Sequence, residues 1–267
     1  MTRIDVDVTD HTGWIRLNRP DKLNALSADM WEDLPRAVAD LAGNDDVRVV
    51  VVAGNGPAFT VGIDLQMLAG LAPDAPSEGA RNLQVYETIR QLQRSFGAFA
   101  ECPKPVIAAV HGYCLGAGID LITACDIRLA SADAVFSIRE TRMGLVADVG
   151  TLQRLPRIVG PGRVAELAFT GRDIDAATAE RFGLVDHVHP DRDTLYTAAA
   201  ELAAEISANS PIVVQGIKRV LRAGADLTVD EALDYVALWN AAMIHTNDLG
   251  EAMAAFLEKR PPRFTGT

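Results

Sequence analysis

The sequence predicts an α/β core followed by an all-helical region. Two short apolar runs, Val47–Ala53 and Val106–Val110, have the continuous hydrophobic character of parallel strands covered on both faces. Stretches of helical spacing separate the strand-like runs. Beyond Val188 four helical stretches follow one another with no strand pattern between them.

In chain order, Trp14-Ile15-Arg16-Leu17 reads as a strand closed by Asn18-Arg19-Pro20. Ser27 is placed to cap a helix running to about Leu41; Pro35, which removes a helix donor, either weakens that helix reading or implies a break there. After Val47–Ala53, Gly54-Asn55-Gly56-Pro57 turns the chain, and the Pro/Ala/Ser/Gly composition of Leu71–Gly79 reads as a loop. From Ala80 to Ala100, apolar residues at 83, 86, 89, 92, 96 and 99 mark an amphipathic helix. Strand Val106–Val110 then runs through Gly116-Ala117-Gly118 into an apolar helix. Ile127–Ala130 and Val135–Ile138 are short strands, and the pattern turns helical beyond Pro156. Gly171-Arg172-Asp173 is a turn, Asp175 caps Ala176–Phe182, and Gly183 ends that helix. Leu184–Val188 is the last strand. Thr194–Ala208, Pro211–Ala223, Thr228–His245 and Asn247–Lys259 complete the chain, and Thr228-Val229-Asp230-Glu231 fits a capping box. A boundary near residue 200 divides a core, 1–200, from a helical region, 201–267, whose apolar faces need a partner surface.

Composition narrows the function. The chain has 267 residues, 49% hydrophobic and 23% charged, enough for one sizeable core. A net charge of −11 opposes non-specific nucleic-acid binding, and no apolar run approaches the roughly 18–20 residues that span a bilayer. The acidic start carries neither a secretory nor a transit pattern, and the end is not a peroxisomal address. Cys102, Cys114 and Cys125 follow no metal-ligand spacing, so no metal site is expected and a reducing cytoplasm is the default. His11, His111, His187, His189 and His245 form no readable triad, and no phosphate loop or dinucleotide fingerprint occurs.

The chemistry concentrates between Val106 and Leu155. A strand passing through a glycine-rich turn into a helix presents free amides, which bind negative charge with help from the helix dipole. Asp120 lies three residues past Ala117, on the same side of that first turn. Glu140 follows Asp120 by 20 residues and Asp148 follows Glu140 by 8. Each acid has a plain structural reading: Glu140 paired with Arg139 or Arg142, Asp148 capping a helix from Val149, Asp120 bonded to nearby backbone. Asp64 reads as the cap of a helix beginning after Ile63.

Lys104–Gly112 followed by Gly116-Ala117-Gly118-Ile119-Asp120-Leu121 resembles the signature of the crotonase (enoyl-CoA hydratase/isomerase) superfamily, and the likeness runs from Ile15 to Arg260. Asp120–Arg128 and Gly144–Pro156, with the two acid spacings, resemble the Δ3,5-Δ2,4-dienoyl-CoA isomerases within it. The resemblance implies an α/β crotonase (ClpP-like) spiral of ββα units with a C-terminal helical trimerisation region. It implies catalysis by Asp120, Glu140 and Asp148, with Glu140 as the base at C2, Asp148 as the acid near C6 and Asp120 orienting the site. The oxyanion hole would be the amides of Ile63 and Ala117, beside Gly62 and Gly116. Coenzyme A would be held along Asn24, Ala25, Leu26, Asp64 and Leu65, with Phe256 and Lys259 approaching its phosphates from a neighbouring subunit. No separate cofactor is implied, because coenzyme A is part of the thioester substrate. The implied assembly is a homotrimer or a dimer of trimers.

Two rivals compete. An enoyl-CoA hydratase would use two glutamates on a water; here the first acid position is the shorter Asp120, and Asp148 adds a third acid. A catalytically silent member of the fold would keep coenzyme A binding or assembly without turnover.

Overall fold

The computed structural model describes residues 3–69 and 74–267. The chain enters through an antiparallel hairpin of β1 (Ile4–Thr9) and β2 (Thr12–Leu17), turned at Asp10 and His11, both left-handed. Strand β1 is absent from the sequence reading. Its Ile-Asp-Val-Asp-Val alternation belongs to an edge strand with one wet face, and Val6 and Val8 stay exposed.

Helix α1 (Ala28–Gly43) runs unbroken across Pro35, so the alternative of a break there is not the one the chain adopts. Proline at 35 deprives the Trp31 carbonyl of its helical donor, and the buried Ser95 hydroxyl donates to that carbonyl at 2.8 Å instead. Ser95→Ala is therefore expected to destabilise the fold by about 1–3 kcal/mol, read as a lowered denaturation midpoint with an unchanged slope. Ser27 occupies the N-cap position of α1, but its hydroxyl accepts from Arg3 rather than capping a helix amide.

The rest alternates as the apolar runs require. In order come β3 (Val49–Gly54), α2 (Leu65–Ala69), α3 (Glu78–Glu101), β4 (Val106–Val110), β5 (Tyr113–Leu115), α4 (Ala117–Thr123), β6 (Ile127–Ser131) and β7 (Val135–Ser137). A 3-10 turn, Glu140–Met143, leads to α5 (Thr151–Val159), α6 (Pro161–Thr170), β8 (Ile174–Asp175), α7 (Ala176–Phe182), β9 (His187–His189) and α8 (Arg192–Ser207). Helices α9 (Pro211–Gly224), α10 (Val229–Met243) and α11 (Asn247–Glu258) end the chain. Of the loop expected over Leu71–Gly79, residues 71–73 lie outside the described residues. Helix α3 starts within its last part, where the Ser77 hydroxyl accepts from the Ala80 amide at 3.2 Å. Asp175, Gly183 and the Thr228–Glu231 box cap as the sequence indicates.

The main sheet has the order β1-β2-β3-β4-β6-β9, parallel from β2 onward. Its strands point alternately into two cores. Val50, Val52, Val106, Ala108 and Val110 face the larger core, while Val49, Val51, Ile107 and Ala109 meet Leu195, Ala199 and Ala203 of α8. Both faces are thus covered, which is why β3 and β4 carry no polar residue.

A smaller sheet, β5-β7-β8, lies alongside. Strand β4 joins the first sheet, β5 the second, and α4 follows; β6 and β7 repeat that division. Thr60 bridges to Cys114 after β3, so the β3 segment makes a third, abbreviated turn of the same spiral. The repeat lies in three dimensions and not in residue identity.

Residue 200 falls in the middle of α8, which packs on the main sheet, so the helices that leave the sheet begin at α9. Asp248 ties the tail down by accepting from the Ser210 hydroxyl (2.6 Å) and the Thr265 amide (2.8 Å), and Arg48 donates to the Phe264 carbonyl at 2.8 Å. Leu221, Val229, Phe256 and Leu257 remain 71–83% exposed on these helices.

Candidate active site

Two glycine turns from separate segments meet at the mouth of a cavity of about 830 Å³. Gly62, at φ +91°, lies so close to the second turn that a Cβ there would meet the Leu115 carbonyl oxygen at 2.8 Å and the Ala117 nitrogen at 3.3 Å. Gly116, at φ 53° and ψ −118°, precedes α4, leaving Ala117 as its first residue. Among the described residues neither the Ile63 amide nor the Ala117 amide donates to a protein acceptor. Two amides without a protein acceptor therefore belong to touching turns on one cavity, available to an anionic oxygen.

The segment behind Ile63 is held by its own bonds. The Leu26 amide donates to the Gly62 carbonyl and the Asp64 amide to the Leu26 carbonyl, at 2.8 and 3.0 Å. The fully buried Asn24 side chain donates to the carbonyls of Asn55 and Ala58 and accepts from the Arg19 amide. Arg19 reaches the Ala25 carbonyl and the Asp64 carboxylate, both at 2.7 Å. Asp64 also accepts from the Gln66 amide at 3.0 Å, which caps α2; these bonds hold its pKa below the usual carboxylate value. Asn24, Ala25, Leu26 and Asp64 thus form the frame of the turn, whereas Gly62, Ile63 and Leu65 line the cavity.

Three carboxylates line the same cavity as those amides. Asp120, on α4, is 1% exposed, and its Oδ1 accepts from the Thr151 amide at 2.6 Å. Asp120, rather than Asp148, therefore caps the start of α5, and it lines the cavity as well. Burial raises its pKa to about 6 against the opposing pull of Thr151 and Arg154. Glu140 is half-buried, with Oε1 beside Gly116 and Oε2 buried without a hydrogen-bond partner. Arg139, a neighbour free to neutralise it, pairs instead with Asp173 at 2.8 Å. Burial first, then the charges of Asp120 and Asp148, push Glu140 up to about 7. Asp148 also lines the cavity; solvent still reaches it, and partial desolvation raises its pKa.

The far wall is apolar. Trp31 of α1 and Val85, Ile89 and Leu92 of α3 face Met143, Leu145, Val146 and Val149 across the cavity. Of the apolar positions expected on α3, Leu92, Phe96 and Phe99 are buried, whereas Leu83 and Tyr86 are 58% and 61% exposed. A stripe through 85, 89, 92, 96 and 99 satisfies helical spacing equally; Val85 and Ile89 are partly buried and line the cavity, and Leu92, Phe96 and Phe99 are buried. Phe256 and Lys259 lie on and at the end of α11, outside the cavity lining; Lys259 closes that helix in a left-handed conformation. Gln93 and Arg154, to which the sequence assigned no role, bond the backbone around Asp148.

A spiral of two sheets, paired amides and an acid-lined pocket invites comparison with known proteins. The family model described as enoyl-CoA hydratase/isomerase matches residues 10–267. This chain belongs to the enoyl-CoA hydratase/isomerase family. Among its relatives is a mitochondrial Δ(3,5)-Δ(2,4)-dienoyl-CoA isomerase of Dictyostelium discoideum, 46% identical over 93% of this chain and 85% of the relative. A peroxisomal Δ(3,5)-Δ(2,4)-dienoyl-CoA isomerase of Arabidopsis thaliana is 44% identical over 93% of this chain and 90% of the relative. In three dimensions the crystal structure of an enoyl-CoA hydratase from Bacillus anthracis superposes with a TM-score of 0.91 at 35% identity, covering 100% of both chains. The crotonase spiral expected for this family is therefore the fold of this chain.

Proposed function

We propose that this crotonase-family protein converts 3,5-dienoyl-CoA thioesters into 2,4-dienoyl-CoA thioesters. The reading is carried by one observation: three carboxylates of unequal burial and two free amides line one cavity. In the proposed reaction the Glu140 carboxylate takes a proton from C2. The released electron pair makes the C2=C3 bond, the diene shifts, and the former C5=C6 pair takes a proton at C6 from the Asp148 carboxyl. The negative charge passes through the thioester oxygen, held by the amides of Ile63 and Ala117, each worth about 3–4 kcal/mol in the transition state. Asp120 stays fixed by the Thr151 amide and, through its charge, makes Glu140 a stronger base.

The step is redox-neutral and its proton transfers fall to carboxylates, so coenzyme A enters only as part of the substrate. The relatives' names support the isomerase reading. So does the third acid, for which hydration by two acids on one water has no use. Purified protein is expected to isomerise 3,5-dienoyl-CoA much faster than it hydrates 2-enoyl-CoA; faster hydration would reject the assignment.

The rate is expected to follow ionisation of Glu140. Below its pKa of about 7 the base is protonated, so kcat/KM is expected to fall as pH drops through that region, by about tenfold per pH unit. A profile flat from pH 5 to pH 8 would exclude Glu140 as the base.

The exposed apolar residues of α9–α11 support assembly of copies into a homotrimer or a dimer of trimers, read by sedimentation velocity. Among the described residues no helix is long and apolar enough to cross a membrane. Three buried, unpaired cysteines suit the reducing cytoplasm.

A further inference from the structure

Between the 3-10 turn and α5, residues 144–150 form neither helix nor strand, yet this segment presents Asp148 to the cavity. Its shape is set by bonds from side chains. Gln93 of α3 donates to the Asp148 carbonyl at 2.6 Å, and Arg90 donates to the Gln93 amide oxygen at 2.7 Å. On the other side the Arg154 guanidinium donates to the Val149 carbonyl at 3.3 Å. It also lies directly on Gly150, where a Cβ would fall 1.9 Å from Nη1. Gly150 has φ +136°, and its carbonyl accepts from the Arg154 amide at 2.9 Å, so residue and neighbour brace each other through both backbone and side chain. The same cation stands near enough to Asp120 for the two charges to stabilise each other.

We propose that Arg154 is a positioning residue for the Asp148 carboxyl: laid over Gly150 and bonded to Val149, it fixes the segment that carries this acid. The inference rests on the isomerase reading, in which Asp148 serves C6 and Glu140 serves C2. It predicts a division of labour that general structural damage does not produce. Loss of Arg154 disturbs protonation at C6 more than proton removal at C2, where Glu140 and the two amides stay in place.

The experiment compares Arg154→Gln, Arg154→Lys, Gly150→Ala and Asp148→Asn by two readouts. One is isomerisation of 3,5-dienoyl-CoA; the other is entry of deuterium at C2 of the unconverted substrate in D2O. For Arg154→Gln, kcat for isomerisation is expected to fall by about 10²-fold, with KM within about twofold, for a displaced acid. C2 exchange is expected to persist and Arg154→Lys to recover part of the rate. Gly150→Ala, whose methyl occupies the guanidinium's place, is expected to reproduce the loss. Isomerisation undiminished in both Arg154→Gln and Gly150→Ala, or C2 exchange slowed in step with isomerisation, would overturn the proposal. Full isomerisation by Asp148→Asn would instead sink the reading of Asp148 itself, a result separate from either.

Discussion

Glu140→Gln is expected to lower kcat for 3,5-dienoyl-CoA isomerisation by about 10³–10⁴-fold, the upper range for loss of a general base. The amide keeps the shape of the side chain but has no basic lone pair for the C2 proton. Nothing nearby is placed as a substitute: Asp120 is tied to the Thr151 amide, and Asp148 faces the other end of the diene in the proposed pose. The same variant separates chemistry from folding. A carboxyl whose pKa is raised from 4.5 to about 7 holds its proton more tightly in the folded chain than in the unfolded one. Its contribution to stability is therefore full below about pH 4.5 and is lost as pH rises through about 7. At pH 8 the wild type holds a half-buried carboxylate with one oxygen, Oε2, unpartnered, so Glu140→Gln is expected to melt at a higher temperature than the wild type at that pH. An inactive protein that is also less stable at pH 8 would contradict the assignment.

Gly62→Ala is expected to reduce kcat by about 10²–10³-fold, the loss of one preorganised oxyanion donor. At φ +91° an alanine is strained, and its methyl would lie 2.8 Å from the Leu115 carbonyl oxygen and 3.3 Å from the Ala117 nitrogen. Relief requires the two turns to part, which separates the Ile63 and Ala117 amides. The transition state carries more charge on the thioester oxygen than the ground state does, so KM is expected to change far less than kcat. An equal rise in KM with kcat unchanged would mean that these amides bind substrate without stabilising the enolate.

Local pattern alone located much of the molecule. The strand Val106–Val110 and helix Ala176–Phe182 have the boundaries read from the sequence, because apolar runs, an aspartate cap and a terminal glycine are signals within one element. Elsewhere the deciding partner was remote in sequence. Pro35 argues locally for a break, and a hydroxyl 60 residues away, at Ser95, removes the reason for one. On α3 helical spacing fits Val85 as well as Leu83 and Tyr86 beside the shared positions 89, 92, 96 and 99; packing of Phe96 against Trp31 of α1 sets the face that is buried. Strand β1 shows only three alternating apolar residues, and pairing with β2 makes it a strand.

For the site, the resemblance to the family named Asp120, Glu140 and Asp148 and the turns at Gly62 and Gly116 as candidates, and the fold gathers them on one cavity. Their environments were decided only by folding. A carboxylate's pKa depends on what surrounds it in space, so burial of Asp120 and the lone buried oxygen of Glu140 exist only once α4, α5 and the 3-10 turn have packed. The meeting of Gly62 with Ala117 is of the same kind. Each turn forms from its own few residues, but the gap between two amides is a distance across the fold, fixed by the sheets that carry them.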